Sequence, residues 1–237
     1  MNVCIVTVYN SENCGSYLQA YALAKTIEKL GHSVYFMKRS TKGTSHDFFK
    51  VACECVKLVL RGKFSRAKDS WQVFVNFSKM TAKFKIIQKK DVLSDLIDVV
   101  VIGSDTLWNF DDNYFYDYKE IYSGYTFLQK NAISYASSIA NTKYETLMQD
   151  DTIMKGIKNL KAVSVRDAYT RTMVERIVNG EVASVLDPTF LLRADEYGAI
   201  SKNCTCEQYI LLYCFREPDK VVKNKIQELK SLTGEKI

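Results

Sequence analysis

Short apolar, β-branched runs alternate along the chain with stretches of helical period. Residues 3–8 are the first such run and read as a buried strand. The polar turn Asn10-Ser-Glu-Asn-Cys-Gly-Ser16 follows it. Leu23, Ile27 and Leu30 then recur at i, i+4 and i+7 until Gly31 stops the pattern, as expected of a helix. Residues 33–37, 98–102, 131–135, 162–165 and 182–186 are further strand candidates. Helices are expected over residues 144–160 and 168–178, the second closed by Gly180. Strands alternating with helices imply an α/β protein, with a mainly parallel sheet covered by helices on both faces. After residue 207 the rhythm restarts: 209–215 reads as a strand and 217–232 as a helix with Pro218 in its first turn. Residues 1–200 are therefore expected to form one lobe and 207–237 the first β-α unit of a second.

Charge changes this picture in one place. Residues 38–90 hold 14 Lys/Arg and three acids, a net +11, so the rest of the chain carries −5 against a total of +6. Phe48, Val51, Cys55, Leu58 and Val59 share one helical face, and 64–77 is also helical in pattern. A basic pair of helices inserted at about 41–90 is predicted. It is either a solvated outer face or a surface attracted to an anionic partner: a phosphate-bearing lipid, an acidic glycan or a membrane. Nucleic acid is not expected, because no recognition motif accompanies the charge.

The hydrophobic content of 47% and charged content of 25% are ordinary for a globular protein. Seven cysteines, an odd number with no secretory leader before them, point to a reducing cytoplasm. Peripheral contact at the inner membrane face would run through residues 38–90. Cys53/Cys55 and Cys204/Cys206 are too closely spaced for a zinc loop, and His32 and His46 do not complement them, so no metal is expected. Cys14 reads as a small buried thiol. No apolar run is long enough to span a bilayer.

In parallel sheets ligands bind outside the carboxyl ends of the strands. Five small polar or charged clusters fall at such ends: Asn13-Cys-Gly-Ser16, Gly103-Ser-Asp105, Ser137-Ser138, Arg166-Asp167 and Asp187. Together they predict a site along one sheet edge. Asn13, Gly15 and Ser16 stand where a helix N-terminus offers unpaired N–H groups and positive potential to an anion. They equally suit a plain helix cap at Asn13 or Ser16. The turn has neither the dinucleotide glycine pattern nor the lysine of a phosphate loop. Arg166 is either a bidentate clamp for phosphate or carboxylate or a salt bridge to Asp167 or another acid. Asp105 suits a sugar hydroxyl or base chemistry, or else caps the next helix. Trp108-Asn109 offers a stacking platform or packs beneath the sheet. Asp187 lines the site or braces the turn before Pro188.

Five segments occur in order: Asn13-Cys-Gly-Ser-Tyr-Leu-Gln-Ala-Tyr-Ala-Leu23, Ile102-Gly-Ser-Asp-Thr-Leu-Trp-Asn109, Ser134-Tyr-Ala-Ser-Ser138, Val163-Ser-Val-Arg-Asp167 and Val185-Leu-Asp-Pro-Thr189. As a set they resemble the N-terminal half of the polysaccharide pyruvyl transferase family. The resemblance implies the Rossmann-like N-terminal lobe of a glycosyltransferase-B-like, two-lobed protein. It implies transfer of a pyruvyl group from phosphoenolpyruvate to a sugar of a surface polysaccharide or its lipid-linked or nucleotide-linked precursor, with no cofactor. Arg166 would hold the donor's phosphate or carboxylate. Asn13, Gly15, Ser16, Gly103, Ser104, Asp105, Ser137 and Asp187 would line the cleft, with Asp105 the candidate catalytic group. A Ser-Phe-His-Gly-like run of the family's second lobe has no counterpart here, so the chain is expected to be a truncated, weakly active form. A nucleotide-sugar glycosyltransferase, or a non-catalytic relative acting as a scaffold, are the alternatives.

Overall fold

The computed structural model describes residues 1–11, 13–38, 48–201, 212 and 217–234. The chain divides into two compact units, Met1–Glu196 and Tyr197–Ile237. In the first, β1 (Asn2–Val6), α1 (Cys14–Lys29) and β2 (Ser33–Met37) follow one another, then a helical hairpin of α2 (Phe48–Leu60) and α3 (Phe64–Thr81). The two-residue β3 (Ile86–Ile87), α4 (Lys89–Leu93) and β4 (Val99–Ile102) come next. They are followed by α5 (Asn113–Tyr116), α6 (Lys119–Tyr122) and β5 (Asn131–Ser134). The unit continues with α7 (Tyr144–Gln149), α8 (Asp151–Lys158), β6 (Ser164–Val165), α9 (Ala168–Val178) and β7 (Ala183–Ser184).

The sheet order is β3-β2-β1-β4-β5, and every pairing is parallel. This is the Rossmann-like order expected of a doubly wound α/β protein. A separate parallel pair, β6-β7, is joined to it. Ser137 bridges to both Asp105 and Val165, and the Ser134 N–H donates to the Ala162 carbonyl. The strand ends of β4, β5, β6 and β7 therefore lie side by side.

Strand β1 shows why the apolar runs were so plain. Val3 and Ile5 pack with Leu23, Ala24 and Phe36 on one face, whereas Cys4 and Val6 pack with Val100, Phe127, Ile153 and Val174 on the other. Alternate side chains point to opposite faces, so a strand buried on both reads as continuously apolar. Burial pushes the Cys4 thiol up to about 12. Trp108 is a core residue rather than a stacking platform: it is fully buried and its indole N–H donates to the Tyr122 carbonyl at 2.7 Å.

Several expectations need correction. The helix expected over 144–160 is two helices, because Asp150 is extended (φ −104°, ψ 104°). Its carboxylate caps α8 through the Thr152 and Ile153 N–H groups and is gripped from outside by Lys119 and Tyr116. The cap that closes α9 is left-handed Asn179, not Gly180. The insertion is narrower than 41–90: residues 86–93 form the edge strand β3 and α4, and Phe84 stacks on Phe36 at 4.2 Å. Strands β6 and β7 are only two residues each. The strand expected at 209–215 lies outside the described residues apart from Leu212. In the second unit α10 (Lys220–Thr233) is capped by Asp219, so Pro218 precedes the helix instead of sitting in its first turn. Among the described residues no helix is long and apolar enough to cross a membrane.

Gly156 in α8 shows how tightly the helices pack. A Cβ there would lie 2.4 Å from Ser123 Oγ and 2.7 Å from the Tyr125 backbone nitrogen. Alanine would gain about 1 kcal/mol of helix propensity but lose about 1–3 kcal/mol to overpacking against backbone that cannot retreat. Gly156→Ala should therefore lower the urea midpoint. Gly180→Ala, whose Cβ meets nothing closer than 3.8 Å, should leave it unchanged or raise it.

Candidate functional site

The carboxyl ends of β1, β4, β6 and β7 surround a cavity of about 290 Å³ in the first unit. Asn13, Gly15, Ser16 and Gln19 line it from α1, and Asp105, Arg166, Asp187 and Thr189 from the other strand ends. Asn13 caps α1, its side chain accepting from the Gly15 N–H at 2.9 Å. A Cβ on residue 15 would crowd that oxygen at 3.1 Å, so glycine lets the cap close. Ser16 points across the cavity floor, and its hydroxyl donates to Asp105 Oδ2 at 2.8 Å.

Asp105 has φ +94°, an uncommon conformation for a residue with a side chain. It is held there by its neighbours: the Thr106 N–H donates to Oδ1 at 2.8 Å and the Ser138 N–H to its carbonyl at 3.2 Å. Such strain persists only where surrounding structure imposes it, and it clusters at functional sites.

Arg166 leaves β6 directly. Its Nη1 donates to Asp187 Oδ2 at 2.8 Å and makes a longer contact of 3.4 Å with Ser104 Oγ. Its Nη2 stands 4.0 Å from Asp105 Oδ1, beyond hydrogen-bond reach. One edge of the guanidinium is therefore anchored, while the other faces the gap toward Asp105. Asp187 accepts from the Thr189 N–H and hydroxyl on Oδ1, and from Ser104 and Arg166 on Oδ2. Burial pushes the Asp187 carboxyl up, but the Thr189 hydrogen bonds and the Arg166 guanidinium outweigh it and hold the group below its ordinary value.

The chain matches the family model for polysaccharide pyruvyl transferase over residues 13–233. It belongs to the polysaccharide pyruvyl transferase family. The match begins at the residue that caps α1 and takes in every residue lining the cavity. No curated protein matches the chain.

In this family member the strand-end clusters play two different parts. Asn13, Gly15, Ser16, Asp105, Arg166 and Asp187 meet at one cavity. Gly103, Ser104 and Ser137, expected to line it, stand behind it. Gly103 is pressed against Thr7 and Leu23, close enough that a Cβ would lie 3.1 Å from Thr7 Cβ. Ser104 is fully buried, bonded to the Arg166–Asp187 pair through its hydroxyl and to Thr7 through its carbonyl. Ser137 is fully buried and donates to the Gly103 carbonyl at 3.1 Å. Asp167 does not pair with Arg166 by hydrogen bond; it caps α9 through the Thr170 N–H at 2.7 Å. Asp105 does not cap a helix, and Cys14 is exposed instead of buried.

Two lining residues were missed. Gln19 lies one turn after Ser16, a spacing that places both on one face of α1. Only 3% exposed, it donates through Nε2 to Thr7 Oγ1, the Val8 carbonyl and the Ser16 carbonyl. Its Oε1 has no hydrogen-bond partner among the described residues. Thr189 follows Asp187 by two and carries the hydroxyl that a turn-bracing aspartate commonly uses.

Removing the Asp187 carboxylate strands the Arg166 charge in a half-buried setting. Asp187→Ala should cost about 1.5–3 kcal/mol at neutral pH, the usual worth of hydrogen bonds to a charged group. Because the folded-state value of Asp187 is lowered, its contribution is complete above the unfolded value of about 3.9 and lost as pH falls through the folded value. Urea melts of the two proteins should accordingly converge on acidification below pH about 4.

Proposed function

We propose that the cavity binds phosphoenolpyruvate and that the protein transfers its pyruvyl group to a sugar of a surface polysaccharide or its precursor. The observation that carries this reading is Arg166: one edge of its guanidinium is fixed on Asp187 and the other faces the cavity near the N-terminus of α1. A planar fork held on one side is pre-organised to take a carboxylate or phosphate on the other. The first N–H groups of α1 add positive potential from the opposite wall.

The chemistry asks for a proton at the methylene carbon of the donor, which makes the enol carbon electrophilic. A sugar hydroxyl adds to that carbon and gives up its proton. A second hydroxyl then displaces phosphate and leaves a ketal. Asp105 is the group suited to proton transfer, since Ser16 and Thr106 hold its carboxylate at the cavity wall. Cytoplasmic action on a lipid-linked or nucleotide-linked acceptor fits this chemistry.

One cation and two carboxylates line the cavity, so an anionic donor entering it brings like charges together. Arg166 is the cation in that lining that offsets them. Arg166→Ala should therefore weaken phosphoenolpyruvate binding, measured by titration calorimetry, about 10- to 100-fold. Unchanged affinity in Arg166→Ala would sink the reading. Tight binding of a nucleotide sugar, with none of phosphoenolpyruvate, would move the protein to another donor class.

A further inference from the structure

The hairpin of α2 and α3 is amphipathic in an unusual way. Its inner seam is made by Val51, Cys55 and Leu58 at i, i+4 and i+7 on α2, set against α3. The Cys55 thiol bonds the Ala67 carbonyl, and Phe48 meets Trp71 and Phe74 edge-on or tilted. The base of the hairpin is fixed to the Rossmann-like lobe, where buried Phe77 packs on Tyr17 of α1. That seam accounts for one apolar face of α2. A second apolar row, Cys53, Val56 and Leu60, runs along the opposite side.

This second row leads to the hairpin tip. Leu60 is 81% exposed, Val56 58% and Phe64 66%. Between and beside them stand Arg61, Lys63 and Arg66, also exposed, around the left-handed turn at Gly62. None of these three cations forms an ion pair among the described residues. From residue 48 to 81 the hairpin carries seven basic residues against two acidic ones.

We propose that the hairpin tip is a membrane-docking device that inserts Leu60 and Phe64 among the acyl chains of an anionic bilayer, with Arg61, Lys63 and Arg66 on the headgroup phosphates. Apolar side chains ringed by cations suit the interface of an anionic membrane. Charge decides against a second copy of the chain, because pairing two such tips would press like charges together. A nucleic acid would satisfy the cations but leave Leu60 and Phe64 in water. The inference stands apart from the donor chemistry, since none of the tip residues lines the cavity.

The test is sedimentation of the full chain with vesicles of phosphatidylcholine alone and of phosphatidylcholine mixed with phosphatidylglycerol, at low and high salt. The protein should partition onto the anionic vesicles at least about tenfold better than onto the neutral ones, and salt should weaken the binding. Leu60→Asp/Phe64→Asp and Arg61→Glu/Lys63→Glu/Arg66→Glu should each lower that partition at least about tenfold, with melting temperatures near the parent's because the replaced side chains are exposed. The proposal is overturned by absence of binding to anionic vesicles, by equal binding to neutral ones, or by binding that both variants retain. A parent dimer that Leu60→Asp/Phe64→Asp breaks, without lipid binding, would assign the tip to a second copy and overturn it as well.

Discussion

The ion pair of Arg166 and Asp187 fixes the geometry on which the candidate site depends. The two residues leave neighbouring parallel strands, β6 and β7, whose register pairs Val165 with Ser184. Parallel pairing sends both chains out of the sheet at the same edge, so a cation and a carboxylate 21 residues apart in the sequence meet at 2.8 Å. Ser104, from the end of β4, touches both partners and ties the pair to the main sheet. The half-buried guanidinium is thereby oriented before any ligand arrives. Pre-organisation of this kind lets a site stabilise charge without reorganising at the moment of reaction.

Around that pair the site combines rigid and strained parts. The cap at Asn13, the Ser16–Asp105 hydrogen bond and the Gln19 amide are set by α1, which is packed along most of its length by Ala20, Leu23, Ala24 and Ile27. Of the residues lining the cavity, Asp105 pays a conformational cost, its positive φ held in part by the Ser138 N–H from the segment that follows β5. Proton transfer is the task we propose for the same residue. The hairpin of α2 and α3 contributes nothing to the cavity lining. Its apolar tip and cations belong to a separate surface, so binding and docking can be examined independently.

Much of this was legible in the sequence, and the reasons are physical. Strands β1, β2, β4 and β5 announce themselves because a parallel sheet buries both their faces. Strands β6 and β7 fall where the sequence places them but are shorter than it suggests, because their apolar runs continue past the two residues that pair, whereas the two-residue β3 is too short for any periodicity to register. The break at Asp150 is hidden for a similar reason: the apolar pattern resumes after it, and the contacts that secure it come from Lys119 and Tyr116, more than 30 residues away. At the site, charged and capping residues at strand ends pointed to the cavity. Gly103, Ser104 and Ser137 carried the same signal but brace the backbone behind it, since small polar residues serve either purpose. Gln19 carried no signal by composition, because glutamine is an ordinary helix residue; only its spacing from Ser16 marks it.

The most direct test of the account is a crystal structure of the protein soaked with phosphoenolpyruvate. The account predicts the ligand in the strand-end cavity, with a carboxylate or phosphate oxygen within hydrogen-bond distance of Arg166 Nη2, and the Arg166–Asp187 contact retained. Phosphoenolpyruvate bound elsewhere, or bound in the cavity with Arg166 still turned away from it, would contradict the central claim.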